Sequence, residues 1–286
     1  MAKITIGLVQ MAMSPTPEQN LAHALDLISQ AAKRGAQIVC LPELFTSQYF
    51  PQYENEKHEA AKNFAETIPG KTTEALARAA QQNSIVLVGG SIYEKDGSKL
   101  YNTSAVFDEK GKMLGKYRKM HVPHDDCFYE ENYFSKGDLG FQAFDTKLGK
   151  ISPLICYDQW FPEAARIAAL SGAQIVFYPT AIGTVDGVGQ AEGNWQDAWE
   201  TAMRGHAIAN AMVVAAANRV GREGKMEFWG GSFVCDAFGK TLARGGKGEE
   251  IVIAQIDSQH SKSVREGWRF FYHRRPDAYS KITEAK

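Results

Sequence analysis

A pentapeptide occurs twice in this chain: Gly35-Ala-Gln-Ile-Val39 and Gly172-Ala-Gln-Ile-Val176 are identical. Each follows an alanine-rich stretch with helical spacing, and each apolar run continues to a proline, as Leu41-Pro42-Glu43 and Tyr178-Pro179-Thr180. A glycine after the last periodic residue is a helix stop, and the short β-branched run after it reads as a buried strand. The same order in both places predicts two similar halves whose sheets pack face to face with helices outside, an α/β fold of the four-layer α-β-β-α sandwich type. At 286 residues and 44 % hydrophobic content, the chain is long enough for such a core. Long linkers are missing, so we expect 1–286 to be one domain, with 258–286 as a C-terminal extension.

The remaining pattern fits this plan. Ile4 to Gln10 alternates like a strand, and a helix follows to about Arg34 with Leu21, Ala24, Leu25, Ile28, Ala31 and Ala32 on one face. Thr72–Asn83, Pro162–Leu170 and about Asn194–Ala209 also read as helices. Strands are predicted at 37–41, 85–93, 104–107, 113–117, 141–144, 151–155, 175–178, 213–217, 231–235 and 251–256, with Asp96-Gly97 and Lys110-Gly111 as hairpin turns. Arg118 to Gly140 has little periodicity and reads as a long ordered loop, which in a compact domain is usually functional.

Composition removes several classes. No run approaches the ~18 apolar residues of a membrane helix, and the N-terminus lacks the apolar region of a signal peptide, so a cytoplasmic address is expected. The four cysteines, Cys40, Cys127, Cys156 and Cys235, form no C-x-x-C pair and no metal-spaced cluster with histidine, which argues against disulfides and structural zinc. Net charge is −1 with both signs interspersed, giving no general field for nucleic acid or an anionic membrane. The basic stretch Lys112 to His121 interleaves with Leu114 and Tyr117 and looks like a strand rather than a nucleic-acid surface.

Three segments could carry chemistry. Cys156 ends an apolar run and precedes Pro162-Glu163, a helix start, so its thiol lies near backbone N–H groups that favour a thiolate or an oxyanion. The plain alternative is a small buried apolar residue. Glu43 follows an apolar strand with no charged neighbour within four residues, surroundings too apolar for an ordinary solvated loop. Lys119, read alone, is a basic surface turn. Together the three supply a thiol nucleophile, a base and a cation for an oxyanion without a histidine. A thiol–histidine pair is the rival, with His121 and His206 the best-placed partners.

Leu41-Pro42-Glu43, Tyr117-Arg118-Lys119-Met120-His121 and Ile155-Cys156-Tyr157-Asp158 resemble the three signature segments of the nitrilase superfamily, carbon-nitrogen hydrolases with a Glu-Lys-Cys triad. The resemblance runs from Ile4 to about Tyr279. It implies Glu43 as general base, Lys119 as stabiliser of the tetrahedral intermediate and Cys156 as nucleophile. It also implies a fourth acidic residue at Glu130, beside the alternative Glu131, and homodimers or higher homo-oligomers in which sandwiches stack. The aromatic-rich segment Arg265 to Arg275 is expected to pack on its own or a neighbouring subunit.

Among branches, Cys156-Tyr-Asp-Gln-Trp-Phe-Pro-Glu-Ala-Ala-Arg166 is most similar to the N-carbamoylputrescine amidases, which usually have Trp where this chain has Tyr157. Branches acting on carbamoyl amino acids tend to place arginines just after the cysteine, where this chain has Gln159 and Trp160. A small-molecule ureido amine is thus the implied substrate. Its distal ammonium needs carboxylates or aromatic faces, for which Asp125, Asp126, Tyr49, Trp160 and Trp195 are candidates. Tyr157, Thr180 and Ala181, in segments similar to that branch, are further substrate contacts it implies. The loop Val122-Pro-His-Asp-Asp-Cys127 departs from the plant-like Pro-Asp-Gly form. No metal or organic cofactor enters the implied reaction. An ω-amidase or aliphatic amidase with the same triad, and a binding or scaffold protein that has kept only the fold, are the alternatives.

Overall fold

The computed structural model describes residues 3–55 and 58–284. Two sheets lie face to face. The first has, in spatial order, Glu250–Asp257, Lys3–Gln10, Ile38–Cys40, Val86–Val88, Lys99–Phe107 and Ile92–Asp96, with Met113–Arg118 also paired to Lys99–Phe107. The second runs Thr241–Arg244, Phe233–Cys235, Val213–Asn218, Ile175–Thr180, Gly149–Pro153 and Phe144–Thr146. A three-stranded ribbon of Gly183–Val185, Met226–Trp229 and Val220–Glu223 accompanies them.

The repeated pentapeptide occupies equivalent places. Ile38 lies parallel between Ile6 and Val86, as Ile175 lies between Ile151 and Val213. Because successive strand side chains alternate, each copy feeds two cores. Ile38 and Cys40 face Ile175 and Phe177 across the layer between the sheets, where Ile6, Leu8, Val88, Val213 and Ala215 join them. Val39 packs outward under the helices Pro17–Lys33 and Lys71–Asn83, against Ala24, Ile28, Leu76 and Ala80. Val176 and Tyr178 do the same under Pro162–Leu170 and Trp195–Asn210, against Ala165, Ala168, Trp199 and Met203. The result is the α-β-β-α sandwich, with each fully buried Ile or Phe contributing about 1.5–3 kcal/mol of hydrophobic stabilisation.

Several stretches differ from the sequence pattern. Residues 85–93 are not one strand: the chain breaks at Gly89-Gly90, and Gly90 adopts φ +61° with room for no side chain, since a Cβ there would meet the Pro42 carbonyl at 2.3 Å. That approach brings the strand end against the Glu43 turn. The strand expected at 141–144 forms at Phe144–Thr146 instead. The ribbon was not anticipated, because its strands have three or four residues each. The helix Ser258–Trp268 opens the C-terminal segment, where Asp257 caps the N–H groups of Gln259 and His260. This helix packs on its own chain, Val264 against Ala211 and Ala237, while Trp268 and Tyr272 are exposed.

Candidate active site

Three strand ends deliver the chemical groups. Ile38–Cys40 runs into Pro42-Glu43, and Leu44 then turns back at φ +47°. Lys119 follows the strand Met113–Arg118 by one residue, so alternation sends it and Arg118 opposite ways. Arg118 fills an ion-pair cluster, donating through Nε and Nη2 to Glu94 at 2.9 and 2.8 Å and through Nη1 to Asp138 at 2.8 Å, with its guanidinium 3.8 Å from the Tyr101 ring centroid. Lys116 also pairs with Glu94, so Lys116 and Arg118 of the basic stretch are spent on internal pairs. Cys156 lies three residues past Gly149–Pro153 at φ +40°, opening the turn Cys156–Trp160 that leads into the Pro162 helix. Left-handed φ is uncommon for a residue with a side chain, and here it recurs beside both Glu43 and the thiol.

Lys119 is 1 % exposed, and its Nζ lies 2.8 Å from Glu43 Oε1 and 2.6 Å from Glu130 Oε2. Asn102 Nδ2 donates to the same Glu43 oxygen at 2.8 Å, and the Tyr49 hydroxyl donates to Glu130 Oε1 at 2.7 Å. Glu43 Oε2 is buried with no hydrogen-bond partner. The Cys156 thiol points its S–H towards the Ala181 carbonyl at 3.8 Å. Burial, reinforced by the charge of Glu43, raises the Cys156 pKa well above the ordinary thiol value, against an opposing pull from Lys119. The resting sulfur is therefore a thiol, and attack requires a base; the open lone pairs of Glu43 Oε2 are a suitable one. Burial pushes Glu130 up to about 7, with Lys119 opposing and Glu43 reinforcing. Burial also disfavours the Lys119 ammonium, but the charges of Glu130 and Glu43 outweigh it and hold the amine protonated. Such a cation, desolvated and fixed, can stabilise a developing oxyanion.

The acidic pair is resolved by position: Glu130 is 1 % exposed and belongs to this network, whereas Glu131 reaches outward to Lys136 at 3.4 Å. A cavity of about 220 Å³ opens onto Cys156, lined by Pro123, Asp125, Phe128, Glu130, Tyr157, Gln159, Trp160, Ile182, Trp195 and Ala198. Asp125, Tyr157, Trp160 and Trp195 thus reach the cavity wall. Four expected substrate contacts do not. Tyr49 is buried between Phe128 and Phe228 because its hydroxyl is tied to Glu130. Asp126 turns to solvent, its backbone N–H bonded to Asp125 Oδ1. Thr180 is buried, its carbonyl accepting the Glu43 N–H at 3.4 Å, and Ala181 serves the thiol through its carbonyl. These two line the machinery rather than the cavity.

The two candidate histidines are bonded away from the sulfur. His121 Nδ1 is 2.7 Å from Asp158 Oδ1, and its ring stacks on Phe161 with centroids 3.7 Å apart. Asp158 also accepts from the Tyr117 hydroxyl and from the Ile155 N–H, so it clamps the turn that presents Cys156. His206 Nε2 donates to the Gln159 carbonyl at 2.8 Å, and burial lowers its pKa. Sequence reasoning missed Asn102, Asp158 and Arg219 as parts of the site. A polar run inside a strand, Tyr101-Asn-Thr-Ser104, and an arginine directly after the apolar strand Val213–Asn218 were the available signals. Among the described residues, no group of three or more His, Cys, Asp or Glu is placed to hold a metal ion.

A buried carboxylate–ammonium–thiol cluster at strand ends of an α-β-β-α sandwich defines a class, and comparison with known proteins agrees with it. The model of the carbon-nitrogen hydrolase family matches residues 5–266, and the chain belongs to that family, within the nitrilase superfamily. It is similar to a citrullinase from Francisella tularensis, 38 % identical over 99 % of both chains. It is also similar to the N-carbamoylputrescine amidase of Solanum lycopersicum, 38 % identical over 96 % of this chain and 93 % of that one, and to the omega-amidase NIT2 of Xenopus tropicalis, 38 % identical over 98 % of each. The crystal structure of a carbon-nitrogen hydrolase from Helicobacter pylori G27 superposes with a TM-score of 0.90 at 38 % identity, covering 99 % of both chains.

Proposed function

We propose that this carbon-nitrogen hydrolase cleaves N-carbamoylputrescine to putrescine, carbon dioxide and ammonia. The observation that carries the reading is the cavity wall: the exposed carboxylate of Asp125 and the buried one of Glu130, with the aromatic side chains of Tyr157, Trp160 and Trp195 and, among the lining residues, no Lys or Arg. Such a wall suits a methylene chain ending in an ammonium, which aromatic faces and a carboxylate attract. It opposes a substrate whose far end is only a carboxylate, as in the ω-amidase reading.

In the proposed reaction Glu43 takes the Cys156 proton as sulfur attacks the ureido carbon. The Lys119 ammonium and the Tyr157 N–H hold the oxyanion. Ammonia leaves, protonated by Glu43, and the same carboxylate then activates water against the thiocarbamoyl intermediate; the released carbamic acid loses carbon dioxide. Hydrolysis of citrulline is the second reading, favoured by Gln159, whose Nε2 is buried and partnerless on the cavity wall and could donate to an α-carboxylate.

Ammonia release from N-carbamoylputrescine, citrulline, an ω-amide acid and N-carbamoyl amino acids tests these readings. The expected result is a preference for the carbamoyl diamine, with Asp125→Asn raising its KM about tenfold and leaving kcat nearly unchanged. A preference for citrulline or an anionic substrate overturns the diamine reading. Absence of turnover together with failure of Cys156 to react with an electrophile favours a scaffold.

A further inference from the structure

We propose that Arg219 and Glu223 are positioning residues for the general base, an inference that rests on Glu43 acting as that base. Arg219 is fully buried, and its Nη2 donates to the carbonyls of Glu43, Leu44 and Ser47 at 2.9, 2.8 and 3.1 Å. These carbonyls belong to the turn that carries Glu43 and the left-handed Leu44, so one guanidinium holds that turn from inside. The N–H groups of the turn are held elsewhere, Glu43 by the Thr180 carbonyl and Leu44 by Ser91 Oγ at 3.0 Å. With its backbone pinned on both sides, the Glu43 side chain starts from a fixed point and meets Lys119 and Asn102.

The other edge of the guanidinium makes the connection to the second acid. Arg219 Nη1 lies 2.9 Å from both Glu223 oxygens, and Glu223 Oε2 also accepts the Tyr49 N–H at 2.6 Å. Tyr49 in turn donates its hydroxyl to Glu130, and Glu130 shares Lys119 with Glu43. The contacts close a ring: Glu43 backbone, Arg219, Glu223, Tyr49, Glu130, Lys119, Glu43 side chain. Both carboxylates on Lys119 are thereby located by one arginine that follows the strand Val213–Asn218 in the opposite sheet. Lysine cannot replace it, because a single ammonium cannot span Glu223 and three carbonyls at once. Misplacement of a catalytic group by about 1 Å can lower a rate by about 10²-fold.

The test is the rate at which iodoacetamide alkylates Cys156, followed by peptide mapping across pH 6–9, for wild type, Glu43→Gln, Glu223→Gln and Arg219→Lys. This readout does not depend on which amide is the natural substrate. The expected result is that Glu223→Gln and Arg219→Lys each slow Cys156 alkylation at pH 7 at least tenfold and change its pH profile in the same sense as Glu43→Gln does. Cys40 and Cys235, both fully buried, are expected to remain unlabelled in a folded chain. If Glu43→Gln slows alkylation while Glu223→Gln and Arg219→Lys match wild type, the positioning proposal is overturned and the base stands. If Glu43→Gln itself matches wild type, the reading of Glu43 as base fails. Labelling of all four cysteines in both Arg219 and Glu223 variants would mean that the pair only maintains the fold, which also overturns the proposal.

Discussion

On the proposed reading, Cys156 is a nucleophile that the fold keeps quiet. Its buried thiol is held protonated by burial and by the neighbouring Glu43 charge, so reactivity depends on a base with open lone pairs rather than on a standing thiolate. Glu43→Gln preserves the acceptor for Lys119 and Asn102 but removes the base; kcat is expected to fall by about 10²–10⁴-fold in ammonia-release assays. Glu130 gives a second expectation, in stability. Its pKa is raised from 4.5 to about 7 in the folded chain, so between those values the native state binds more protons than the unfolded one. Stability contributed by this group is present below pH 4.5 and lost as pH rises through 7. Urea unfolding midpoints of wild type should therefore decline relative to Glu130→Gln across that window; a constant difference would contradict the assignment. Glu43 and Cys156 were legible because each follows an apolar run, whereas Lys119 was legible only through the resemblance of its segment to a family signature. Asn102 and Arg219 were not, since what matters about them is which distant backbone or carboxylate they meet, and no local spacing encodes that.

The strand Met113–Arg118 shows how an element sets a site. Its last residue anchors one side and the next residue delivers the ammonium to the other. The anchor is Glu94, buried beneath Arg118 and Lys116, with a pKa lowered in spite of burial because Arg118, Lys116 and Thr103 all bind its charged form. Such a group stabilises the fold above its ordinary carboxylate pKa and loses that contribution as pH falls through the lowered value. Glu94→Gln leaves Arg118 short of its buried partner, and a loss of about 3–5 kcal/mol at pH 7 is expected from urea unfolding. Helices and long strands were legible at this scale, since Leu21, Ala24, Ile28 and Ala31 repeat at helical spacing. The short ribbon and the break at Gly89-Gly90 were not, the break being set by the contact of Gly90 with the Pro42 carbonyl. The loop 118–140, legible as ordered and functional, is held by Glu130 reaching Lys119 and by the Gly137 N–H bonding the Lys119 carbonyl at 2.8 Å.

At the scale of the whole molecule, the duplicated pentapeptide matters because its two copies form equivalent inner strands of opposed sheets and bring their following turns together. The Glu43 N–H reaches the Thr180 carbonyl, the corresponding residue of the other half. The layer between the sheets is what holds these turns in register. Phe177 lies fully buried in it, and Phe177→Ala is expected to cost about 3–5 kcal/mol in urea unfolding and to weaken activity through the site it supports. The sandwich could be read from the repeat, whereas the aromatic row Phe238, Trp268 and Phe270 emerges only from the fold, because Phe238 lies 30 residues before Trp268, with centroid distances of 5.7 and 5.8 Å along the row. The central claim, that a buried Glu-Lys-Cys cluster performs covalent amide hydrolysis, is tested most directly by ammonia release from N-carbamoylputrescine with wild type and Cys156→Ala side by side. The account predicts release by wild type and none above the protein-free blank for Cys156→Ala; equal turnover by the two proteins would contradict it.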